Sequence, residues 1–297
     1  MNFLSSLDAN SPSAPSALAP AFGEGSELFF TAAEPGDGQR WSTWPATIPT
    51  ERGPEPRPDW LVTSAGAIDT ELGVVKSGKE ADLFLIERAE PGAAPGDVGR
   101  HVVLAAKRYR GRDRSDFHRS SIYTDGRGTR RSRDQRAIDN RSTFGREVAR
   151  VQWASTEFQA LCELTRLGAA VPYPVQVHET EVLMEFIGDD RVAAPRLAQV
   201  RAKPAELREL FHQIVDFMHL LAAAGLAHGD LSPYNLLVHH GRVVVIDLPQ
   251  VIDVIANPAG LELLHRDCVN VCDWFTRQRL ECDAEELFGE LVGALHW

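Results

Sequence analysis

Residues 227–250 read AHGDLSPYNLLVHHGRVVVIDLPQ, and the fold prediction starts from three side chains in this stretch. Asp230 follows a His-Gly pair, Asn235 lies five residues later, and Asp247 ends an apolar run. The apolar run, residues 243–246, predicts a buried strand. The His-His-Gly tripeptide before it predicts a turn from a shorter strand. Such a hairpin brings Asp247 back beside Asn235.

An H-x-D-x-x-x-x-N loop followed by a hairpin that ends in aspartate is found at the catalytic end of the protein-kinase fold. The oxygens of Asn235 and Asp247 can share one Mg²⁺, a hard cation that takes oxygen ligands and bridges ATP phosphates. Asp230 is then left to accept a hydroxyl proton or to orient the acceptor. Taken singly, each of the three also fits a turn or a strand-end cap, so the prediction depends on their fixed spacing. His228 is interpreted as a loop-shaping residue.

The overall composition argues against several classes of protein. With 297 residues, 43% of them hydrophobic, the chain can form a two-lobed enzyme or two small domains. Its net charge of −11 argues against nucleic-acid binding by the protein as a whole. No run of about 18 apolar residues predicts a membrane span, and the first ten residues lack the features of a secretory signal. The four cysteines show no C-x-x-C spacing, which favours reduced thiols and a cytoplasmic location.

Composition divides the chain into three predicted segments. Residues 1–58 are rich in Pro, Ala, Ser and Gly and are predicted to be mostly disordered, although their aromatic residues can dock on the folded body. Residues 59–188 are predicted to form an N-terminal lobe with a flexible basic loop at 110–141, and residues 189–297 a C-terminal lobe. From 100 to 150 the chain has fifteen Lys and Arg against six Asp and Glu. This excess predicts either a solvated loop or a surface that faces phosphate or RNA.

The N-terminal lobe holds the candidate phosphate contacts. Residues 74–88 are typical of strand, turn and strand, and the turn at Ser77, Gly78 and Lys79 can bring backbone N–H groups close to phosphate. An ordinary hairpin explains the same residues. Lys107 lies on a third predicted strand, where it is either solvated or placed to hold the α- and β-phosphates of ATP. Glu157 lies on a predicted helix beside the apolar stripe, where it is either solvated or paired with that lysine.

The apolar segment EVLMEFIG, residues 181–188, predicts a strand that crosses between the two lobes. Backbone groups around Glu185 and Ile187 can read the edge of adenine there, with the side chain of Met184 behind them. A plain buried strand is the alternative, because only the position in the chain favours a nucleotide contact.

Seven motifs in chain order, SGKEADLF, AAKRY, WASTEF, LMEFIG, HGDLSPYN, VIDLPQ and HRDCVNVCDWF, together resemble the RIO family of atypical serine/threonine protein kinases. The resemblance covers about residues 60–280. It implies a two-lobed α+β fold, with a small β-sheet and one helix in the N-terminal lobe and a mainly helical C-terminal lobe, truncated after the metal-binding loop. It also implies roles for six residues: Ser77 over the phosphates, Lys107 as phosphate-binding lysine with Glu157 as its partner, Asp230 as catalytic aspartate, and Asn235 and Asp247 as metal ligands.

Two residues depart from the family pattern. Gly229 stands where the family often has Ala, and Pro249 where Ser is common. Neither change removes a charged group, but the resulting HGD tripeptide is also typical of aminoglycoside and choline kinases.

Three functions therefore follow as hypotheses. The first is an ATP- and Mg²⁺-dependent serine/threonine kinase or ATPase that phosphorylates a protein hydroxyl or itself. The second is a small-molecule phosphotransferase on the same fold. The third is a nucleotide-switched module that binds RNA or a ribosomal particle. No membrane partner is predicted.

Overall fold

The computed structural model describes residues 34–110, 143–248 and 251–295. The predicted disorder of residues 1–33 and most of the predicted basic loop, from residue 111 onward, lie outside the described residues. The described residues form one compact unit. No helix among the described residues is both long and apolar enough to cross a membrane.

A six-stranded antiparallel sheet forms the N-terminal lobe together with one long helix, α1 (Thr143–Arg166). Neighbouring strands pair in the order β1-β2-β3-β4-β6-β5. Their bounds are β1 Gln39–Trp41, β2 Ile68–Ser77, β3 Ala81–Ala89, β4 His101–Tyr109, β5 Pro174–His178 and β6 Glu181–Glu185.

Strand β4 explains how the sheet aims Lys107. Side chains alternate between the two faces of a strand. Leu104 and Ala106 pack into a smaller cluster of buried apolar side chains on one face of the sheet. Ala105 and Tyr109 pack into the larger hydrophobic core on the other face. Lys107 shares the face of Ala105 and Tyr109, and it therefore points toward α1 and the second lobe.

Residues 34–58 differ from the prediction of disorder, because they form β1 and two short 3₁₀ turns against the sheet. Trp44 is only 6% exposed, and the guanidinium of Arg52 lies 4.6 Å from the centre of its ring. Gly53 donates its N–H to the carbonyl of Val175 at 3.0 Å, in a place where a Cβ would lie 1.9 Å from the Pro174 carbonyl oxygen. One buried tryptophan and one close backbone contact thus order a segment that its composition alone assigns to disorder.

The C-terminal lobe is mainly helical. Helix α2 buries one apolar face that includes Leu210, Ile214 and Phe217. The predicted hairpin is present, and the two-residue turn His240–Gly241 joins its strands. The element bounds are β7 Gly188–Asp189, β8 Val192–Ala193, α2 Pro204–Ala223, β9 Leu226–Ala227, β10 Leu236–His239, β11 Arg242–Val245, β12 Ile252–Asp253, α3 Gly260–Arg277 and α4 Ala284–Ala294.

Candidate active site

Lys107 joins the two lobes through a chain of ion pairs. Its Nζ lies 2.6 Å from Oε1 of Glu157 on α1 and 3.2 Å from Oδ1 of Asp247, which follows β11. Glu157 is 3% exposed, Lys107 18% and Asp247 48%. The structure therefore brings together a buried carboxylate, a partly buried ammonium and a carboxylate open to water.

Charge and burial oppose each other at this lysine. Burial alone lowers the pKa of Lys107, but the carboxylates of Glu157 and Asp247 raise it, and the pKa ends well above its usual range. The Lys107 ammonium in turn lowers the pKa of Asp247, against the effect of burial. Both groups are thus charged at neutral pH, with the positive charge fixed beside the carboxylate that faces the cleft.

Tyr109 is a site residue that was not predicted from the sequence. Its hydroxyl donates a hydrogen bond to Oε2 of Glu157, while Oε1 of Glu157 accepts from Lys107. Both oxygens of the buried carboxylate therefore have a donor, which fixes its rotamer. The alternation of β4 was the available signal, because it places Tyr109 on the same face as Lys107.

The β10–β11 hairpin places Asn235 beside Asp247, as predicted. The N–H of Ile246, the residue before Asp247, donates to the backbone carbonyl of Asn235 at 2.9 Å. Asp247 itself has φ of 67°, in the left-handed region that L-residues enter at a cost of about 1 kcal/mol or more. The hairpin end therefore fixes the backbone next to Asp247.

Asn235 also contacts the loop that carries Asp230. Its Nδ2 donates to the backbone carbonyl of Asp230 at 2.9 Å. Because the amide nitrogen is used in this way, Oδ1 is the atom of Asn235 that can act as a ligand. The Asp230 side chain is 47% exposed, and its Oδ1 lies 4.0 Å from the Arg266 guanidinium.

Asp267 on α3 supports the backbone of the loop that carries Asp230. Its two carboxylate oxygens accept from the backbone N–H groups of Gly229 and Leu231, each at 2.7 Å. These two residues flank Asp230. Burial raises the pKa of Asp267 to about 7, although the two amide donors act in the opposite direction.

Two further side chains of α3 complete this support. The Arg266 guanidinium donates to the carbonyl of Gly229, and Nδ2 of Asn270 donates to the carbonyl of Leu231 at 3.1 Å. Both residues lie in the motif HRDCVNVCDWF, from which no role was predicted for them. The sequence pattern that could have identified them is their spacing, which places Arg266, Asp267 and Asn270 on one side of a helix.

His228 has the loop-shaping geometry expected of it. Its Nδ1 accepts from the N–H of Asp230 at 3.3 Å, and its Nε2 lies 3.3 Å from the carbonyl oxygen of Ile246. Burial lowers the pKa of His228 to about 4. The ring is therefore neutral at pH 7 with its proton on Nε2. It links the backbone of Asp230 to that of Ile246, the residue before Asp247.

The predicted phosphate turn lies at the end of β2. Ser77 ends the strand and Lys79 is exposed, but the N–H of Gly78 donates to the carbonyl of Ala81 at 3.0 Å. This amide is therefore used within the turn. Near this turn, partial burial and the charge of Arg196 lower the pKa of Lys76.

The crossing strand β6 leads directly into the second lobe. Met184 is buried and pairs with Ala105 of β4. The N–H of Glu185 donates to the carbonyl of Tyr173 at 2.9 Å, and the carbonyl of Ile187 accepts from the N–H of Ala194 at 3.0 Å. The carbonyl of Glu185 and the N–H of Ile187 are the backbone groups to test for adenine recognition.

Comparisons with known proteins agree with this geometry. The family model of the RIO domain matches residues 102–287. The RIO-type serine/threonine-protein kinase Rio1 of Haloferax volcanii is 36% identical over 230 residues, which cover 77% of this chain and 71% of the relative. Rio1 of Methanocaldococcus jannaschii is 30% identical over 75% of this chain and 68% of its own length. The human kinase RIO3 is 30% identical over 79% of this chain, which corresponds to 44% of that protein.

A solved structure supports the fold separately. The Rio2 kinase of Chaetomium thermophilum superposes with a TM-score of 0.55 over 76% of this chain and 63% of its own, at 20% identity. The predicted two-lobed, kinase-like α+β fold is thereby confirmed. With the family model covering most of the folded part and two archaeal relatives aligned across both lobes, the chain belongs to the RIO family of serine/threonine protein kinases.

Proposed function

We propose that this RIO-type kinase binds ATP with Mg²⁺ between its lobes and transfers the γ-phosphate to a hydroxyl of a protein or of itself. The observation that carries the proposal is the contact chain from Glu157 through Lys107 to Asp247, because it places a fixed cation beside an exposed carboxylate at the mouth of the cleft. Phosphoryl transfer depends mainly on positioning and charge stabilisation, and these groups supply both.

The donor set fits a magnesium ion. Asp247 offers a carboxylate oxygen, and Asn235 offers an amide oxygen because its nitrogen is bonded to the Asp230 carbonyl. Mg²⁺ prefers such hard oxygen ligands and completes its octahedron with water and phosphate oxygens. When bound, the ion neutralises charge on the phosphates. Asn235 and Asp247 are the residues that would hold it.

Lys107 would bind the phosphates, and Asp230 would act on the acceptor hydroxyl. Lys107 keeps its proton, since its pKa lies well above the usual range, and it can donate to phosphate oxygens without leaving Glu157. Asp230 lies on a loop whose backbone is fixed on both sides by Asp267. Its half-exposed carboxylate is suited to orient an incoming hydroxyl and to accept its proton.

In this proposal, strand β6 and the residues that follow it bind adenine. The carbonyl of Glu185 and the N–H of Ile187 would contact the base edge, and Met184 would pack behind it. In the turn after β2, Ser77 and Lys79 would approach the phosphates, whereas the N–H of Gly78 already has a partner in Ala81.

Phosphoryl transfer from radiolabelled ATP, measured together with calorimetric binding of ATP and Mg²⁺, tests the proposal. Asp230→Asn should bind the nucleotide nearly as wild type does and transfer phosphate slower by a factor of about 10²–10³. Asp273→Asn, which changes an exposed aspartate on α3, is the matched control. Wild-type transfer by Asp230→Asn would contradict the assignment of this residue.

An RNA or ribosomal partner is a separate proposal that rests on the basic composition of residues 110–141. Binding driven by phosphate contacts should weaken steeply as the salt concentration rises. Deletion of this segment should abolish such binding and leave ATP binding intact. RNA binding that survives the deletion would contradict this proposal.

A further inference from the structure

The tips of two hairpins, β7–β8 and β10–β11, meet on the surface of the C-terminal lobe. Oδ2 of Asp189 lies 3.0 Å from Nε2 of His239, and Oδ1 of Asp189 lies 3.3 Å from Nε2 of His240. The two imidazole rings lie side by side with their centres 4.1 Å apart. Within the described part of the chain, these three residues form a group whose donor atoms all lie within 4.8 Å of one another.

We infer that Asp189, His239 and His240 bind a divalent transition-metal ion, with Zn²⁺ as the best fit. Imidazole nitrogen is a borderline ligand that suits Zn²⁺, Ni²⁺ and Cu²⁺, whereas Mg²⁺ and Ca²⁺ prefer oxygen ligands throughout. Two imidazoles and one carboxylate are also the number of protein ligands that Zn²⁺ takes when its fourth position stays open to water. The site therefore differs in chemistry from the proposed magnesium site.

The distances between the donor atoms suit such an ion. Zinc lies about 2.0–2.2 Å from nitrogen and oxygen ligands, so adjacent ligands of a tetrahedral ion are about 3.3–3.5 Å apart. The nitrogen-to-oxygen distances, 3.0 Å to Oδ2 and 3.3 Å to Oδ1 of Asp189, lie within a few tenths of an ångström of this spacing, and all donor atoms lie within 4.8 Å of one another. The exposed sides of His240 and Asp189, 71% and 61% accessible, leave room for an ion and its water.

The backbone holds both hairpin tips in place. His240 has φ of 49° and precedes Gly241 at 75°, which is the conformation of a tight two-residue hairpin turn. The N–H of Val238 donates to the carbonyl of Pro195 at 2.9 Å, which ties β10 to the segment after β8. On the other hairpin, Arg191 pairs with Glu87 of the N-terminal lobe at 2.7 Å.

This group is separated from the active-site residues by the length of the hairpin. Strands β10 and β11 are four residues long, or about 13 Å at the usual rise per residue. Asn235 and Asp247 lie at the open end, and His239 and His240 lie at the turn. A bound ion would join the segment that crosses between the lobes to the hairpin that carries the active-site residues.

Titration of tag-free, full-length protein with Zn²⁺ after removal of metals by a chelator tests the inference. We expect one ion per chain, and His239→Gln, His240→Gln and Asp189→Asn should each weaken binding at least about tenfold. The matched control is His265→Gln, because His265 also lies against a carboxylate, Glu285 at 2.7 Å, but in the described residues lacks a second histidine there. Circular dichroism and thermal melting establish that each variant is folded.

Cobalt(II) in place of zinc identifies the ligand type. Visible bands without a thiolate charge-transfer band, lost in His240→Gln and kept in His265→Gln, would support nitrogen and oxygen ligands at this site. A thiolate band would assign the ion to cysteines, such as Cys272 and Cys282, and overturn the inference. Equal zinc affinity in wild type and His240→Gln, or no zinc uptake by the wild type, would overturn it as well.

Discussion

The two walls of the cleft hold their charged groups by different means. On the N-terminal wall, Lys107 and Glu157 are fixed by contacts between side chains, and Glu157 is buried. On the C-terminal wall, Asp230 and Asp247 are half exposed, and it is their backbone that is fixed. The loop around Asp230 is bonded to the buried carboxylate of Asp267.

The proposed function accounts for this difference. A cation that grips the same phosphates in every cycle can be pre-positioned by a buried partner, which limits its rotamers. Carboxylates that meet a metal ion and a changing acceptor must stay accessible, so they are positioned through the main chain. We therefore expect substitutions on the C-terminal wall to affect activity, and substitutions of its support to affect stability.

The largest expected effect is on activity, in Asp247→Asn. The variant loses the charge of the proposed Mg²⁺ ligand, and phosphoryl transfer should fall by a factor of about 10²–10³. Its free energy of unfolding should change by less than about 1 kcal/mol, because Asp247 is half exposed and Lys107 keeps its buried partner Glu157. ATP turnover at saturating Mg²⁺ and denaturant unfolding measure the two effects, with Asp273→Asn as control. A large loss of stability with normal turnover would contradict the expectation that substitutions on the C-terminal wall affect activity.

The support beneath the loop should behave in the opposite way. Asp267→Ala leaves two buried N–H groups without an acceptor, which costs about 1–3 kcal/mol for each group, so the variant should lose about 3 kcal/mol of unfolding free energy. Asp267→Asn keeps one acceptor oxygen and should lose about half as much. Urea unfolding measures both.

Asp253 provides the control for this experiment. Its Oδ1 also accepts two backbone N–H groups, from Ile255 at 2.9 Å and Ala256 at 2.8 Å, but the side chain is exposed. Water can replace the lost acceptor there, so Asp253→Ala should cost only about 0.5–1 kcal/mol. Equal losses at positions 253 and 267 would show that burial of the Asp267 contacts is not what stabilises the loop.

The N-terminal wall should give intermediate losses of activity. Glu157→Gln removes the charge that holds Lys107, and kcat/KM for ATP should fall about tenfold to a hundredfold because the ammonium is less well oriented. Tyr109→Phe removes one donor to Glu157 and should reduce kcat/KM by only a few fold. Glu163→Gln changes an exposed carboxylate on the same helix and is the control. A Glu163→Gln loss as large as that of Glu157→Gln would contradict the pairing.

The sequence was sufficient where a pattern reports directly on geometry. The spacing of Asp230, Asn235 and Asp247 and the apolar run before Asp247 predicted the hairpin that the structure contains. The alternation of β4 aims Lys107 at α1. In contrast, the choice of Glu157 over its neighbours on the helix depended on the family resemblance, because several glutamates lie on that helix.

The sequence could not predict contacts between residues that lie far apart in the chain. The bonds from Asp267 to Gly229 and Leu231 join residues 38 and 36 positions apart, and no local pattern encodes them. Composition also assigned residues 34–58 to disorder, because it averages over residues and therefore hides the effect of a single buried Trp44. Burial and pairing are thus the properties that required the structure.

The last expected effect is a pH dependence of stability that arises at His228. Burial lowers the pKa of His228 from 6.5 to about 4, so below pH 6.5 the unfolded chain binds a proton that the folded chain does not. This contribution to stability is present above pH 6.5 and is lost as the pH falls toward 4, by at most about 1.4 kcal/mol per pH unit. Between pH 7 and pH 5, wild type should therefore lose roughly 2 kcal/mol more unfolding free energy than His228→Gln. His212→Gln, which removes an exposed histidine, should follow the wild type; parallel curves for wild type and His228→Gln would mean that the buried ring is not kept neutral by the fold.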